Sequence, residues 1–383
     1  MHYFIYAQKD ATIYSGSRHL DTRKFLEQNT GLDSILELEK TAPTTVDSSK
    51  MVSRIVIYFN LIPIKKMIDS GEIPSNAEYN LRLFNAHSSE IPLSYDVYAY
   101  PLSQSIQMGI GKADDNPINS EGVTWLWPDT TGSIASSTWD GGNWLTASDG
   151  GLTNLVASQS YEYTTADINM DVTTLTKELL TDDYFTSDDY TVDGYVDEGE
   201  INHGYIIKRS DADETSTSDL GTLQFFSIET NTIYVPKLEI KWDDTNWNTG
   251  TLTELDAGGD VDIYMKGLRE SYLEKSEPTF RLYGRERYPT RAISKTPQDI
   301  SIKYLPSGST FYSVKDAHTE ETIIDYDSYT GISCDSNGNY FKLKLNGLQP
   351  ERFYKIQFMV ESGSGINKTT QYVDDDHQFK VVR

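Results

Sequence analysis

The strongest constraint in this sequence is a succession of short runs with the two-residue period of β-strands, separated by turn-forming residues. Glu78–Phe84 and Ser94–Tyr100 alternate apolar and polar side chains, whereas Ser53–Asn60 has the composition of a buried central strand, apolar on both faces. Turn-forming groups such as Asn29–Gly31 and Gly141–Asn143 separate these runs. Frequent short strands favour an all-β fold of antiparallel sandwiches over alternating β and α units.

Helical patterns are scarce, and two short segments carry them. Ile62–Ser70 is predicted to form one or two turns, and Val172–Leu180 a helix that Asp171 caps at its N-terminus. Further strands of this region are predicted at Met1–Ala7, Ala11–Tyr14, Ser34–Glu39, Tyr205–Lys208, Leu223–Ile228 and Pro236–Trp242. We therefore expect very little helix.

A change in composition divides the chain into two predicted domains. The 383 residues exceed the ~150 of an ordinary domain, and residues 241–259 are rich in Asp, Thr, Asn and Gly. We predict a first domain over residues 1–243, a linker over 244–260 and a second domain over 261–383. The second domain has predicted strands at Val261–Met265, Phe280–Tyr283, Ile300–Tyr304, Ile323–Tyr326, Tyr340–Leu345, Phe353–Val360 and Gln378–Val382. This number of strands in about 125 residues is typical of an immunoglobulin-like or fibronectin-like sandwich.

One segment of the second domain sharpens that prediction. Leu348–Phe358, with the sequence LQPERFYKIQF, resembles the fibronectin type III pattern that leads into the penultimate strand. The resemblance implies that Tyr354 closes the corner before this strand through its hydroxyl, as the tyrosine corner of such sandwiches does.

The first domain resembles the DNRLRE family in the order and spacing of several blocks. These blocks are Asp10–Tyr14, Asn29–Glu39, Ser53–Leu61, Ala77–Ala86, Val97–Pro101, Trp125, Trp139, Trp144, Asp171–Leu175, Gly204–Lys208 and Phe225–Trp242. The resemblance implies a jelly-roll-like antiparallel sandwich without catalytic machinery, and relatives of this kind act as carbohydrate-binding modules on bacterial surface proteins. The acid-rich stretch near 181–217 is predicted to be an insertion into that fold.

The charge balance excludes two classes of partner. The chain has 58 acidic and 33 basic residues, a formal net charge of −25. Such a surface repels phosphate backbones and anionic lipid headgroups, so we expect neither direct nucleic-acid binding nor binding to a membrane. The longest apolar runs are far shorter than the ~20 residues of a membrane-spanning helix.

The single cysteine and the first residues bear on the compartment. Cys334 alone can form neither an intramolecular disulfide nor a cysteine-based metal site, and beside Asp335 in a predicted hairpin it is expected to be an inert buried thiol. Met1–Tyr6 contains neither a basic segment nor the apolar stretch of a signal peptide. We therefore expect synthesis in a reducing cytoplasm.

No catalytic constellation is recognisable in the sequence. It contains no G-x-S-x-G elbow and no glycine-rich phosphate loop, and paired carboxylates arise by accident among 58 acids. The histidines lack metal-ligand spacing and are predicted to be surface or turn residues: His2, His19, His87, His203, His318 and His377. Asp189, Asp193-Gly194 and Glu200 fit a calcium loop in part, and a solvated acidic loop is the alternative. We predict that the protein is not an enzyme and needs no cofactor.

Four tryptophans form the candidate binding group, namely Trp125, Trp127, Trp139 and Trp144. Indole rings pack against the C–H faces of sugars, so these residues would suit a glycan platform. Aromatic side chains are also common in sandwich cores and as anchors of protein interfaces, and the sequence leaves both alternatives open.

These observations favour assembly as the function. Two tandem sandwiches with a strongly acidic surface suit a non-enzymatic structural component of a tailed-phage virion, in the neck, the tail or a capsid-associated position. Its partners would be other virion proteins and copies of itself in a closed symmetric array. The alternative is a carbohydrate-binding or adhesion module of a bacterial or phage surface protein.

Overall fold

The computed structural model describes residues 1–16, 25–41, 51–130, 139–145, 155–163, 167–180, 202–255, 261–288, 293–296, 303–362 and 368–383. About 45% of these residues lie in strands and 9% in helices, which confirms the predicted all-β fold class. The chain divides into two compact units. The first comprises Ile5–Ile240, and the second combines Met1–Phe4 with Lys241–Arg383.

The first unit contains two sheets. Its strands are β1 (His2–Tyr6, of which the last two residues belong to this unit), β2 (Lys9–Tyr14), β3 (Ile35–Thr41), β4 (Met51–Tyr58), β5 (Glu78–Leu83), β6 (Asn85–Ser89), β7 (Ser94–Pro101), β8 (Ala157–Glu162), β9 (Ile168–Asp171), β10 (Tyr205–Arg209), β11 (Gly221–Phe226) and β12 (Lys237–Lys241). One sheet has the order β1-β12-β5-β9; the larger has the order β6-β11-β3-β4-β10-β7-β8, with β2 also paired to β4.

Helices are short in this unit, as expected. They are α1 (Ile62–Asp69), α2 (Thr173–Leu179), α3 (Asp211–Thr215) and a 3₁₀ turn at Phe25–Glu27. The first two lie where the sequence predicted them. Asp171 Oδ1 accepts a hydrogen bond from the Thr173 N–H at 2.9 Å, so it supports the start of α2 from one residue before the geometric cap. In the part of the chain that the structure describes, no helix is both long and apolar enough to cross a bilayer.

Strand β4 is the central strand of the larger sheet and is buried on both faces. Ile55 and Ile57 on one face and Val56 on the other are fully buried. Val56 packs in a cluster with Ile13 of β2 and Trp125. The prediction of a central strand that is apolar on both faces is therefore confirmed, because a connecting segment covers the face that would otherwise meet solvent.

The second unit is a sandwich of two facing sheets. Its strands are β13 (Thr253–Glu254), β14 (Val261–Lys266), β15 (Ser271–Leu273), β16 (Thr279–Glu286), β17 (Lys303–Tyr304), β18 (Thr310–Asp316), β19 (Thr322–Ile324), β20 (Ser333–Asp335), β21 (Gly338–Lys342), β22 (Phe353–Ser362) and β23 (Thr369–Val382), with a 3₁₀ turn at Leu345–Gly347. One sheet runs β13-β17-β16-β21-β20 with β14 on β16, and the other runs β15-β23-β22-β18-β19. This is the strand arrangement of an immunoglobulin-like sandwich, in which β14-β16-β21-β20 faces β23-β22-β18-β19.

Aromatic rings join the two sheets of this sandwich. The ring centroids of Tyr312 on β18 and Phe341 on β21 lie 4.2 Å apart, and those of Phe280 on β16 and Phe379 on β23 lie 5.5 Å apart. Tyr354, at the start of β22, is buried in the same core and donates its hydroxyl to the Gln349 carbonyl at 2.8 Å. This is the bond back to the upstream backbone that the fibronectin-like pattern implied.

Residues 244–255, predicted as linker, are part of the second unit. The Cys334 N–H donates to the Asn246 carbonyl and the Asn248 N–H to the Cys334 carbonyl, both at 2.9 Å, and Leu255 is buried in the core. A polar composition rich in turn-forming residues is found both in linkers and in backbone that hydrogen-bonds to the edge of a sheet. The composition of this segment therefore did not distinguish the two. Phe4 lies in the same core, although the sequence assigned it to the first domain.

The predicted acidic insertion near 181–217 also needs correction. Residues 181–201, with the candidate calcium ligands, lie outside the described residues. Residues 202–217 contain β10 and α3, and Tyr205, Ile206 and Ile207 are fully buried. The end of the supposed insertion is therefore a core strand of the larger sheet.

Candidate functional site

Two of the four candidate tryptophans belong to the core of the first unit. Trp139 is 2% exposed and Trp125 is 8% exposed, and both pack in the cluster that covers the outer face of β4. Trp139 Nε1 donates to the Thr124 carbonyl at 2.9 Å, so its polar end is satisfied inside the protein. Neither ring offers a face to a sugar. Trp127 is half-buried in the turn that its own N–H closes onto Thr124 Oγ1 at 3.2 Å.

Arg54 of β4 is the centre of this region. Its guanidinium lies 4.8 Å from the ring centroid of Trp125 and 5.3 Å from that of Trp144. Arg54 Nε and Nη2 donate to the two carboxylate oxygens of Glu214 at 3.1 and 2.6 Å, and Nη1 donates to the Gly141 carbonyl at 2.6 Å. The stacked indole rings, the bidentate ion pair with Glu214 and the Gly141 carbonyl together fix the Arg54 guanidinium in one orientation.

Gly141 allows that geometry. Its φ is +91°, and a Cβ there would lie 2.5 Å from Trp125 Cζ2 and 2.8 Å from Arg54 Nη1. Only glycine lets the backbone approach this closely in this conformation. The sequence prediction of a turn at Gly141–Asn143 thus coincides with the point where the chain presents a carbonyl to Arg54.

Lys208 of β10 is the second cation of the site. It is 1% exposed, and its Nζ lies 4.7 Å from the Trp144 ring centroid and 3.4 Å from Glu214 Oε2, and is also paired with Asp211. Helix α3 supplies both acids, and Ser210 caps it by accepting from the Asp213 N–H at 3.0 Å. Two cations face two carboxylates, so the site is compensated and is not an anion-binding pocket.

The side chains that reach the surface here form an aromatic row of Tyr98, Tyr100 and Trp144. All three are half-buried. The Tyr100 centroid lies 5.6 Å from that of Trp144 and 6.4 Å from that of Tyr98. In the sheet register Tyr100 is opposite Ile206 and Tyr98 is opposite Lys208, so both tyrosines lie beside β10 on the same face of the sheet. Trp144 is the member of the row that stacks on the cations Arg54 and Lys208. Sequence reasoning missed both tyrosines, although their alternation with Val97 and Ala99 in β7 could have placed them on one face.

Burial keeps the Tyr100 phenol of this row neutral. Burial raises the pKa of Tyr100, and Asp211, Tyr98 and Glu214 raise it further. Tyr100 therefore presents a neutral hydroxyl group at physiological pH.

The remaining predicted residues that the structure describes include Cys334 and His2. Burial, followed by the charge of Asp335, raises the pKa of the Cys334 thiol to about 11, and Cys334 lies in the β20–β21 hairpin as predicted. Among the described residues no group of three or more His, Cys, Asp or Glu could hold a metal ion. The prediction of a surface or turn position is wrong for His2, which is 2% exposed because it packs in the second unit with its Nε2 3.5 Å from Asp327.

Comparisons with known proteins add little to this picture. No family model and no curated protein matches the chain. A solved structure of a DUF4785 family protein from Legionella pneumophila is 8% identical over 91% of this chain, with a TM-score of 0.19. The chain spans 62% of the length of that protein.

Proposed function

We propose that this chain is a non-enzymatic structural component of a tailed-phage virion that acts through protein–protein contacts. The observation that supports the proposal is the aromatic row, in which Trp144 packs on two buried, charge-compensated cations. Tyrosine and tryptophan are enriched in protein interfaces, where they bury large area at low entropic cost. The sequence resemblances to DNRLRE-like and fibronectin-like sandwiches support a passive, assembling role and supply no catalytic group.

The base of the row supports binding by a rigid surface. Arg54 and Lys208 are held from both sides by rings and carboxylates, and they fix Trp144 from below. A contact surface that is already ordered loses little side-chain entropy on binding. The net charge of −25 would keep free subunits apart until they meet a complementary partner.

The test is incorporation into particles. Mass spectrometry of purified virions should find the chain at fixed stoichiometry, and a Tyr98→Ala/Tyr100→Ala variant supplied by complementation should be depleted from them. Tyr288→Ala is the matched control, because this tyrosine is 78% exposed in the second unit. A chain that is absent from particles, or a double variant that is incorporated like the control, would end the proposal.

A carbohydrate-binding module is the second candidate. The specific observation in its favour is the pair of half-buried rings of Trp144 and Tyr100 at 5.6 Å, which could stack on successive sugar rings. Binding on a glycan array that is lost on Trp144→Ala, with the thermal unfolding midpoint unchanged, would favour it. Trp139→Ala is not diagnostic, because that ring is core.

A further inference from the structure

A cavity of about 500 Å³ opens on the outer face of the second unit. Phe311 of β18 and Met359 of β22 line it and lie directly opposite each other in the sheet register. Their neighbours Tyr312, Phe358 and Val360 point into the core, so Phe311 and Met359 face outwards.

This outer face has an apolar section, whereas Lys355, Gln357 and Asp374 form a polar cluster elsewhere on it. The exposed face of an antiparallel sheet is ordinarily polar, yet Tyr372 of β23 extends the row because it is opposite Met359. Neighbouring strands lie ~4.8 Å apart, so Phe311, Met359 and Tyr372 make an apolar strip about 10 Å across. Tyr372 is 67% exposed and its ring lies 5.8 Å from that of Tyr326, which lines the cavity. A contiguous group of apolar side chains on a solvent-exposed face is typical of a binding surface or a ligand groove.

The rings of Tyr326 and Trp247 also line the cavity. Tyr326 and Trp247 are both half-buried, and Trp247 is held edge-on against Tyr304 at 5.8 Å. A cavity of this volume, mainly apolar with a few polar groups, falls within the ~300–1,000 Å³ of small-ligand sites.

The acids of the rim are already engaged. Glu361 is paired with Lys368 at 2.7 Å, and Asp327 accepts from the Tyr329 N–H at 2.7 Å and lies 3.5 Å from His2. Asp243 accepts from both the N–H and the hydroxyl of Thr245, at 2.9 and 2.7 Å. Ionised carboxylates keep additional lone pairs and can accept further hydrogen bonds.

We propose that this cavity is a saccharide-binding site. Aromatic side chains would pack against the C–H face of a pyranose ring, and the rim carboxylates would accept hydrogen bonds from its hydroxyl groups. Partial neutralisation of Glu361 by Lys368, together with the apolar side chains of Phe311 and Met359 in the lining, favours a neutral, hydroxyl-rich ligand over a basic peptide. The site is in the second unit and uses none of the four tryptophans that the sequence suggested, and it does not depend on the virion proposal.

The test is binding of the full chain to an array of defined microbial polysaccharides and oligosaccharides. The wild-type chain should bind at least one glycan, and Phe311→Ala and Met359→Ala should each weaken that binding by about tenfold. Tyr264→Ala is the matched control, since this tyrosine is 44% exposed on β14 of the other sheet. All three variants should keep the wild-type unfolding midpoint, and Trp247→Phe should remove part of the fluorescence change on binding.

Three results would overturn the assignment. The first is a wild-type signal on the array that is no higher than that of Phe311→Ala. The second is glycan binding that both cavity variants retain. The third is binding only to lysine- and arginine-rich peptides, abolished by 0.5 M salt. Loss of glycan binding in Phe311→Ala with normal incorporation into particles would separate this site from the assembly surface.

Discussion

Replacing Glu214 by alanine would leave two buried cations beneath Trp144 without their shared counterion. The Glu214 side chain is 7% exposed, and those of Arg54 and Lys208 are 12% and 1% exposed. Arg54 would keep the Gly141 carbonyl, and Lys208 would keep Asp211, whose side chain is 80% exposed and compensates weakly. Removing one partner of a buried ion pair costs about 3–5 kcal/mol, so we expect a loss of that size in the first unit.

Hydrogen exchange of peptides that cover β4 and β10 is the suitable assay, because both units contain tryptophan and fluorescence would mix their transitions. A loss of 3–5 kcal/mol corresponds to roughly 10²–10⁴-fold faster exchange in these peptides. Asp69→Ala is the control, since Asp69 is paired with Lys65 at 2.9 Å but is 34% exposed, and such surface pairs contribute about 0–1 kcal/mol. Adding Lys208→Met to Glu214→Ala should recover part of the loss, because it removes one uncompensated charge. If Glu214→Ala lowers the free energy of unfolding of the first unit no more than Asp69→Ala does, the inferred contribution of the buried ion pair is wrong.

Three further predictions concern stability. Phe4→Ala should destabilise the second unit by about 3–5 kcal/mol, because Phe4 is buried in its core, and hydrogen exchange in β22 should become faster. Leu273→Ala is the control and should leave this exchange nearly unchanged, because Leu273 is 61% exposed. Tyr354→Phe should cost about 1 kcal/mol in urea unfolding through the unpaired Gln349 carbonyl, and an unchanged midpoint would contradict the corner bond. Burial raises the pKa of Asp10 to about 7, so the folded state holds the Asp10 proton more tightly than the unfolded chain does. The free energy of unfolding should therefore fall as pH rises from about 4 to 7. Asp10→Asn should weaken this pH dependence in urea unfolding, and an unaltered pH dependence would contradict the prediction.

The fold was largely predictable where a strand carries its own signal. The apolar run of β4 and the corner at Tyr354 were found from the sequence because side-chain pattern and burial coincide there. Strands β8 and β18 were missed, since ASQSYE and TFYSVKD lack clean alternation and become strands by pairing with β7 and β22. Their structure is a consequence of tertiary pairing rather than of local preference.

The candidate site was less predictable, because it joins distant residues. Arg54 and Glu214 are 160 residues apart, and no local pattern links them. Trp125 and Trp144 lie in similar glycine- and threonine-rich surroundings, yet only the fold makes one core and leaves the other half-buried. Phe311, Met359 and Tyr372 become neighbours only through the register of three strands.

We propose that the aromatic row is a contact surface inside an assembled particle. Hydroxyl-radical footprinting of Tyr98, Tyr100 and Trp144 tests it most directly, by comparing the free chain with the same chain in purified virions. If the row is buried against a neighbouring subunit, oxidation of these three side chains falls several-fold on assembly. Equal oxidation in the free and particle-bound chain would contradict it.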